Sequence, residues 1–317
     1  MAVSKDQSKE IENARKEVKS TLRATVPGVE GILFNLFPVL DHGFVRVIDY
    51  MGNDEAVVQA ARVSYGRGTR KLSDDRGLIR YLIRKEHTSP LEMCEIKLHV
   101  KLPIFVARQW IRHRMASVNE YSARYSILDK EFYLPKPEAM GVQDTLNRQG
   151  RGRSLSLSKS KHILDTLKAD ATRCYSHYEE FLGLAGEDAS FGNGEGPLAR
   201  ELARIVLPLN FYTQWYWKID LRNLLHFLEL RLEEHAQYEI RAYAFVIAGI
   251  VEHWLPLVWE AFSDYGLKSV RLSSVEALIV RQLLAGGRAD QHLVEELSSG
   301  EKEELKRKLG IDVTRRE

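Results

Sequence analysis

Two stretches of strict alternation between apolar and polar residues constrain the fold more than any other feature of the sequence. Residues 94–102 (CEIKLHVKL) place an apolar side chain at every second position, and residues 211–219 (FYTQWYWKI) do much the same with Phe, Trp and Ile on one side. A period of two residues is typical of a β-strand with one buried and one exposed face. Residues 43–49 (GFVRVID) resemble a third strand. The sequence therefore predicts an α/β (α+β) fold in which helices surround a small central sheet.

Helical patterns fill the intervals between the predicted strands. Because proline cannot continue a strand ladder but tolerates the first turn of a helix, Pro103 predicts a direct passage into a helix over 104–114. Asp54 and Asp220 are expected to be the N-caps of the helices that follow them. The other expected helices cover 55–62, 75–85, 160–184, 221–232 and 238–251. The last of these is nearly all apolar, which predicts that it is buried or lies at a subunit interface.

The segment HTSPLEM, residues 87–93, carries the pattern of a helix start. Ser89, Pro90 and Glu92 fit an N-cap, a proline in the first turn and the acid of a capping box. Backbone N–H groups at a helix start also bind phosphate or carbonyl oxygens. A capping role and a ligand contact are therefore compatible at Ser89.

Composition divides the chain into a central domain and two extensions. Residues 1–35 are charged and predict an N-terminal extension that is helical or disordered, and 36–265 form the expected central domain. Within it, 136–160 are rich in Gly, Ser and Arg and predict a mobile loop. Residues 266–317 predict a helical C-terminal extension of two amphipathic helices, for oligomerisation or as a surface element. The Gly-rich segment 186–197 lacks the spacing and the preceding strand of a dinucleotide fingerprint.

The global properties of the chain favour a cytoplasmic protein that is large enough to bury a sizeable core. It has 317 residues and a formal net charge of +2, so a basic binding site would have to be local. The longest apolar run, residues 244–251, is interrupted by Glu252 and His253 before it could cross a bilayer. Residues 1–20 have no apolar core of the kind found in a signal peptide. We therefore expect neither a membrane nor a nucleic acid among the partners.

The stretch RQWIRHRMASVNEYSARY, residues 108–125, concentrates the candidate binding chemistry. Each of its arginines presents a planar set of N–H donors that suits phosphate or carboxylate oxygens. The acid Glu120 would be repelled inside a phosphate site and is better suited to accept a hydrogen bond from a sugar hydroxyl or an N–H group. A nucleotide has both kinds of group. A solvated helical face is the alternative, because Arg108 and Arg112 lie four residues apart. The run from Ser117 has weak helix preference and predicts a loop that faces a ligand.

The triplet Arg112, His113 and Arg114, followed after seven residues by Ser122, resembles the signature of the flavin-dependent thymidylate synthases. The resemblance covers roughly 43–262, interrupted by the loop after Pro137. It implies a homotetramer with sites at subunit interfaces. It also implies that reduced FAD delivers hydride to the uracil of dUMP, that methylenetetrahydrofolate supplies the carbon and that NADPH reduces the flavin again.

The resemblance also assigns roles to individual residues. The predicted dUMP ligands are Gln109, Arg112, Glu120, Ser122, Arg124, Arg204 and Arg231. The predicted FAD ligands are Ser89, Arg112, His113, Arg114, Glu120, Asp220, Arg222, His226 and His235. Arg231 is the expected catalytic residue, because a guanidinium on the carbonyl and N3 edge of uracil would stabilise the negative charge that develops in the ring. No metal is expected. Without the resemblance, His226 and His235 would be interpreted as exposed helix histidines. Arg231 and His235 share a face only if their helix continues that far.

Other chemistries find little support in the sequence. It contains no HExxH, CxxC, P-loop or GxSxG motif, and no Pro-Cys-His nucleophile. Cys94 and Cys174 have no cationic sequence neighbours that would lower a thiol pKa. Ser122 has no adjacent general base, so it is assigned to binding. Two alternatives remain open: a non-catalytic nucleotide-binding or RNA-binding protein, and a flavin enzyme that methylates uracil in RNA. The near-neutral charge and the lack of a recognisable RNA module argue against both.

Overall fold

The computed structural model describes residues 4–64, 75–144, 150–184 and 196–310. The chain divides into two compact units, Met1–Ser263 and Asp264–Glu317. The strands are β1 (Leu36–Val39), β2 (Gly43–Met51), β3 (Glu95–Pro103), β4 (Ser117–Glu120), β5 (Gly141–Gln143), β6 (Arg151–Ser154) and β7 (Tyr212–Asp220). The first unit has α1 (Lys5–Lys16), α2 (Pro27–Glu30), α3 (Asp54–Val63), α4 (Asp75–Arg84), α5 (Ile104–Trp110), α6 (Leu157–Phe181), α7 (Arg200–Ala203), α8 (Leu221–Leu232), α9 (Tyr238–Trp254) and α10 (Pro256–Phe262).

The main sheet has five antiparallel strands in the order β1-β2-β3-β7-β4. In its register, Val100 lies opposite Val45 on one side and Trp215 on the other. The three predicted strands are confirmed and form the centre of the sheet. All neighbouring strands are antiparallel, so the fold is the α+β one of the two predicted classes. The edge strands β1 and β4 were not predicted, because they are only four residues long and do not alternate between buried and exposed positions.

A cluster of buried aromatic rings fixes α5 and α8 against one face of the sheet. Trp110, the last residue of α5, lies 5.1 Å from Trp217 of β7 and 4.8 Å from Phe227 of α8, as measured between ring centroids. All three side chains are at most 1% exposed. Such ring pairs contribute about 0.5–1.5 kcal/mol each beyond the burial of their area. The cluster therefore holds the end of α5 beside the middle of α8.

The opposite face of the sheet is polar and is joined to the N-terminal helix. Arg46 of β2 donates hydrogen bonds to Glu10 of α1 at 2.9 Å and to the His99 ring at 3.1 Å. His99 Nε2 contacts the Gln214 side-chain oxygen at 2.9 Å. Burial, followed by the charge of Arg46, lowers the pKa of His99. The predicted N-terminal extension thus contains a helix with an ion pair to the sheet.

Helix ends depart from the sequence prediction at three points and agree at one. Asn53 caps α3, whereas Asp54 accepts hydrogen bonds from two backbone N–H groups of α10, so the predicted Asp54 cap is wrong. Ser89 is the first residue of a 3₁₀ helix, Ser89–Met93; Thr88 is at the N-cap position and makes no side-chain cap hydrogen bond, so the predicted Ser89 cap is wrong. Helix α5 ends at Trp110 and not at residue 114. Asp220 caps α8 as predicted, since its side chain accepts from the Asn223 N–H.

The segments predicted to be loops contain more structure than expected. Strands β5 and β6 pair within the segment 136–160, and residues 145–149 lie outside the described residues. The run from Ser117 that was predicted to be a loop is strand β4. Most of the Gly-rich segment 186–197 also lies outside the described residues.

Over residues 264–310, the described part of the second unit, there are three α-helices, where the sequence predicted two. They are α11 (Ser274–Leu284), α12 (Gln291–Glu296) and α13 (Ser299–Leu309). A capping box of Ser298 and Glu301 starts α13 and so divides the second predicted helix. Buried side chains of Ile279, Val294 and Leu305 give this unit a small core of its own. In the described parts of both units, no helix combines the length and the apolar character that crossing a bilayer requires.

Candidate active site

A cleft of about 510 Å³ lies between the turn that follows α5 and one face of α8. Because α5 ends at Trp110, the next residues leave the helix and direct their side chains towards α8. The lining consists of Arg112, His113, Arg114, Met115, Ile219, Asn223, His226, Leu230 and Arg231. The Arg-His-Arg triplet and two predicted residues of α8 therefore lie in one place.

His113 and Arg231 form the central contact of the cleft. Arg231 Nε donates a hydrogen bond to His113 Nε2 at 3.1 Å. Burial, with the nearby Arg231 and His226, lowers the pKa of His113 to about 4. His113 is therefore neutral at pH 7, and its Nε2 is free to accept. The ring also packs edge-on against buried Phe227, at 5.0 Å between centroids.

The cleft carries positive charge without a compensating acid in its lining. Burial and then the charge of Arg112 lower the pKa of Arg231, although an arginine stays protonated at neutral pH. The lining residues, all from the described part of the chain, include no Asp or Glu. Guanidinium groups held together in this way attract a phosphate or a developing negative charge. The cleft is thus suited to an anionic ligand.

A network of hydrogen bonds fixes the first turn of α8 at one wall of the cleft. Asp220 accepts from the Asn223 backbone N–H at 3.0 Å and from its side-chain amide at 2.7 Å. Arg222 donates to the Asn223 side-chain oxygen at 3.1 Å and to Thr88 Oγ1 at 3.2 Å. Thr88 immediately precedes the exposed Ser89. The network ties the predicted FAD residues of α8 to the segment that contains Ser89.

A second arginine cluster, consisting of Arg124, Arg204 and Glu201, lies outside the cleft lining. Arg124 pairs with the Glu201 carboxylate at 3.3 Å, and Arg204 donates to the Glu201 backbone oxygen at 3.2 Å. All three residues are exposed. Glu120, at the end of β4, accepts from Thr213 Oγ1 at 2.7 Å. Ser122 Oγ accepts from the Arg124 N–H at 3.3 Å.

The structure therefore divides the predicted site residues into two sets. Among the described residues, the cleft lining includes Arg112, His113, Arg114, His226 and Arg231, but it does not include Gln109, Ser89, Glu120, Ser122, Arg124, Arg204, Asp220, Arg222 or His235. His235 does not share a helical face with Arg231, because α8 ends at Leu232. It is exposed and lies 3.8 Å from Glu233 and 3.6 Å from Glu234.

Sequence reasoning missed four residues of the cleft lining, namely Met115, Ile219, Asn223 and Leu230. Asn223 and Leu230 lie three residues before and four residues after His226, so helical spacing places all three on one face of α8. That signal was present in the sequence. Met115, directly after Arg114, gave no comparable signal, because nothing local indicates which side chain of a turn faces a neighbouring helix.

Neither described cysteine has the character of a nucleophile. Burial, with the charge of Asp54, raises the pKa of the Cys94 thiol to about 12. Cys174 lies on α6, outside the cleft lining. Any uracil chemistry in the cleft therefore needs another means of activating the ring.

Fold and site together define an α+β protein with a cationic cleft for an anionic, nucleotide-like ligand. The family model described as "Thymidylate synthase complementing protein" (Thy1) matches residues 46–257. Proteins named flavin-dependent thymidylate synthase are similar over most of their length. The one from Ruegeria pomeroyi is 55% identical over 90% of this chain and 92% of its own, and the one from Gluconobacter oxydans is 57% identical over 90% and 91%. The chain belongs to the family of flavin-dependent thymidylate synthases.

A solved structure shares the fold. The UMP/dUMP methylase PolB from Streptomyces cacaoi, bound with 5-Br dUMP, is 31% identical and aligns with a TM-score of 0.63. The alignment covers 73% of this chain and 99% of that chain.

Proposed function

We propose that the chain catalyses the reductive methylation of dUMP to dTMP, with FAD as cofactor, methylenetetrahydrofolate as carbon donor and NADPH as reductant. The relatives at 55% and 57% identity carry this activity in their names. The observation that carries the proposal is the Arg231–His113 contact at 3.1 Å, within a cationic cleft that has no acid in its lining. This contact fixes the Arg231 guanidinium, which can activate a uracil ring without a cysteine nucleophile.

The donor set of the cleft fits a flavin dinucleotide. Arg112 and Arg114 can bind pyrophosphate oxygens, and all three residues of the triplet line the cleft. The expected FAD ligands also include Arg222 and Asp220, which the Asn223 network orients. The remaining expected ligands are Ser89, Glu120, His226 and His235. When bound, FAD supplies the hydride for the reaction.

Arg231 is the proposed catalytic residue. Its Nε is occupied by His113, so its two terminal nitrogens remain to bind the carbonyl and N3 edge of uracil. A guanidinium fixed in this way stabilises negative charge as it develops in the ring, without reorganisation during the reaction. His113 acts as the acceptor that holds the guanidinium, and its lowered pKa keeps that acceptor available at neutral pH.

The proposed dUMP ligands outside the cleft support an assembly of subunits. Gln109, Glu120, Ser122, Arg124 and Arg204 lie outside the cleft lining of the same chain, although Arg112 and Arg231 belong to it. A homotetramer would allow one subunit's second arginine cluster to complete another subunit's cleft. The same proposal places the protein in the cytoplasm, where dUMP, folate and NADPH are available.

The decisive experiment measures NADPH-dependent release of tritium from C5 of labelled dUMP, with methylenetetrahydrofolate and FAD, beside a visible spectrum of the purified protein. We expect release from a yellow protein. The assay should be repeated with labelled UMP in place of dUMP, because the solved neighbour is a UMP/dUMP methylase. Release from UMP alone would overturn the assignment to dTMP synthesis. A yellow protein that releases tritium only from uracil in RNA would indicate an RNA methylase. A colourless, inactive protein would indicate a binding module.

A further inference from the structure

A buried carboxylate lies at one end of a chain of hydrogen bonds that reaches the end of α5. Glu239, in the first turn of α9, is only 2% exposed. It accepts from Tyr133 Oη at 3.0 Å, from Arg151 Nη2 at 2.5 Å and from Gln237 Nε2 at 2.9 Å. Gln237 Oε1 in turn accepts a hydrogen bond from Gln109 Nε2. The chain of contacts therefore runs from Glu239 through Gln237 to Gln109.

The direction of these hydrogen bonds is fixed at the carboxylate end. A carboxylate has no hydrogen to donate, so the amide nitrogen of Gln237 must face Glu239. Its oxygen then faces Gln109, which must offer its own nitrogen. The Gln109 oxygen is left for another partner. Without the carboxylate, each side-chain amide could flip and exchange its oxygen and nitrogen positions, because the two ends of an amide have nearly the same shape.

Gln109 lies close to the Arg-His-Arg triplet, so the fixed orientation of its amide bears on nucleotide binding. Gln109 is in the last turn of α5, and its backbone oxygen accepts from the Arg112 N–H at 3.3 Å. The proposed function makes both residues dUMP ligands. An oriented amide so close to the triplet would present one defined atom to the nucleotide.

We infer that Glu239 and Gln237 are positioning residues that orient the Gln109 amide, so that its Oε1 accepts a hydrogen bond from a donor group of dUMP. This inference rests on the proposed function for the role of Gln109. The donor is the sugar 3′-hydroxyl, because Arg231 is assigned to the carbonyl and N3 edge of uracil and dUMP has no other neutral N–H or O–H group away from its phosphate. Gln109 thereby contributes to substrate binding and not to the chemical step.

The test compares two substitutions around the same carboxylate. Gln237→Leu interrupts the chain of hydrogen bonds and leaves the side-chain amide of Gln109 free to flip. Tyr133→Phe removes a hydrogen bond of similar length to Glu239 but leaves the Gln237 contact intact. We expect Gln237→Leu to raise the dUMP dissociation constant and KM about tenfold with little change in kcat, the effect of one lost or misdirected hydrogen bond. Tyr133→Phe should leave both constants within about twofold. Thermal unfolding of both variants measures the structural cost separately.

A double-mutant cycle separates positioning from a general structural effect. In a Gln109→Ala background, Gln237→Leu should have no further effect on dUMP affinity, because the residue that it orients is already missing. Additive losses, or equal losses in Gln237→Leu and Tyr133→Phe, would overturn the positioning role. Wild-type dUMP affinity in Gln237→Leu together with a loss in Gln109→Ala would overturn it too, and would leave the proposed function intact. The proposed function itself is tested by whether the wild-type protein releases tritium from dUMP at all.

Discussion

The cleft and the second arginine cluster contain the same kinds of side chain in contrasting environments. In the cleft, Arg231 is half-buried, contacts a histidine whose pKa is lowered to about 4, and has no acid beside it in the lining. In the second cluster, Arg124 is 56% exposed and pairs with Glu201, which is 54% exposed. The half-burial of Arg231 and the lack of an acid among the lining residues strengthen the electrostatic interactions of the cleft, whereas solvent and Glu201 screen those of the second cluster.

The contrast concerns how well each cluster is prepared to bind an anion. The cleft is preorganised, because the aromatic cluster around Trp110 and the network at Asn223 fix its walls. The second cluster resembles an ordinary surface ion pair, a class worth about 0–1 kcal/mol. It would gain binding strength only when another surface excludes water from it. The following substitutions test this difference, beginning with the largest expected effect.

Arg231→Ala should abolish turnover while flavin stays bound. The substitution removes the group proposed to stabilise charge on the uracil ring, and the loss of one such donor lowers kcat by about 10²–10³-fold. Tritium release measures turnover, and flavin absorbance of the purified variant controls for cofactor binding. Full activity in this variant would remove the main distinction between the cleft and the second cluster.

Arg112→Ala should weaken FAD or dUMP binding by about 10–100-fold, because a charge-assisted hydrogen bond contributes about 1.5–3 kcal/mol. Titration of the apoprotein with FAD, followed by flavin fluorescence, gives the dissociation constant. Arg124→Ala is the matched variant from the second cluster, and we expect it to leave FAD affinity unchanged. Equal effects on FAD would show that the two clusters do not differ in the way proposed.

The pH dependence of stability should reveal the burial of His113. Its folded-state pKa, about 4, lies below the ordinary value of 6.5, so the unfolded chain binds more protons between these values. The stabilisation is complete above about pH 6.5 and is lost as the pH falls towards 4. Denaturant unfolding from pH 7 to pH 4 should therefore show a steeper loss in the wild type than in His113→Asn. Parallel curves for the two proteins would contradict a neutral, half-buried His113.

Glu201→Gln should have the smallest effect. It removes the charge that pairs with Arg124 at 3.3 Å between exposed side chains, so stability should change by less than about 1 kcal/mol. If the second cluster binds the dUMP phosphate, the freed arginine should lower KM for dUMP up to about threefold at low salt, and added salt should remove this gain. An increase in KM would mean that Glu201 orients Arg124 for the nucleotide.

The sequence by itself determined the centre of the fold and the residues of the cleft that lie close together in the chain. Period-two alternation identified β3 and β7, the likeness of residues 43–49 to a strand identified β2, and capping chemistry identified Asp220. The triplet that begins at Arg112 identified the family. These signals are local, because strand faces, caps and motifs depend on residues within a few positions of one another.

Only the tertiary structure decided the remaining features. Strand β4 has four exposed residues, so only its pairing with β7 defines it. Asp54 has the sequence pattern of a cap for α3, but it binds α10, about 200 residues further along the chain. The neutrality of His113 and the separation of Arg124 from the cleft likewise depend on packing. Burial and long-range contacts set these properties, and no local pattern of residues encodes them.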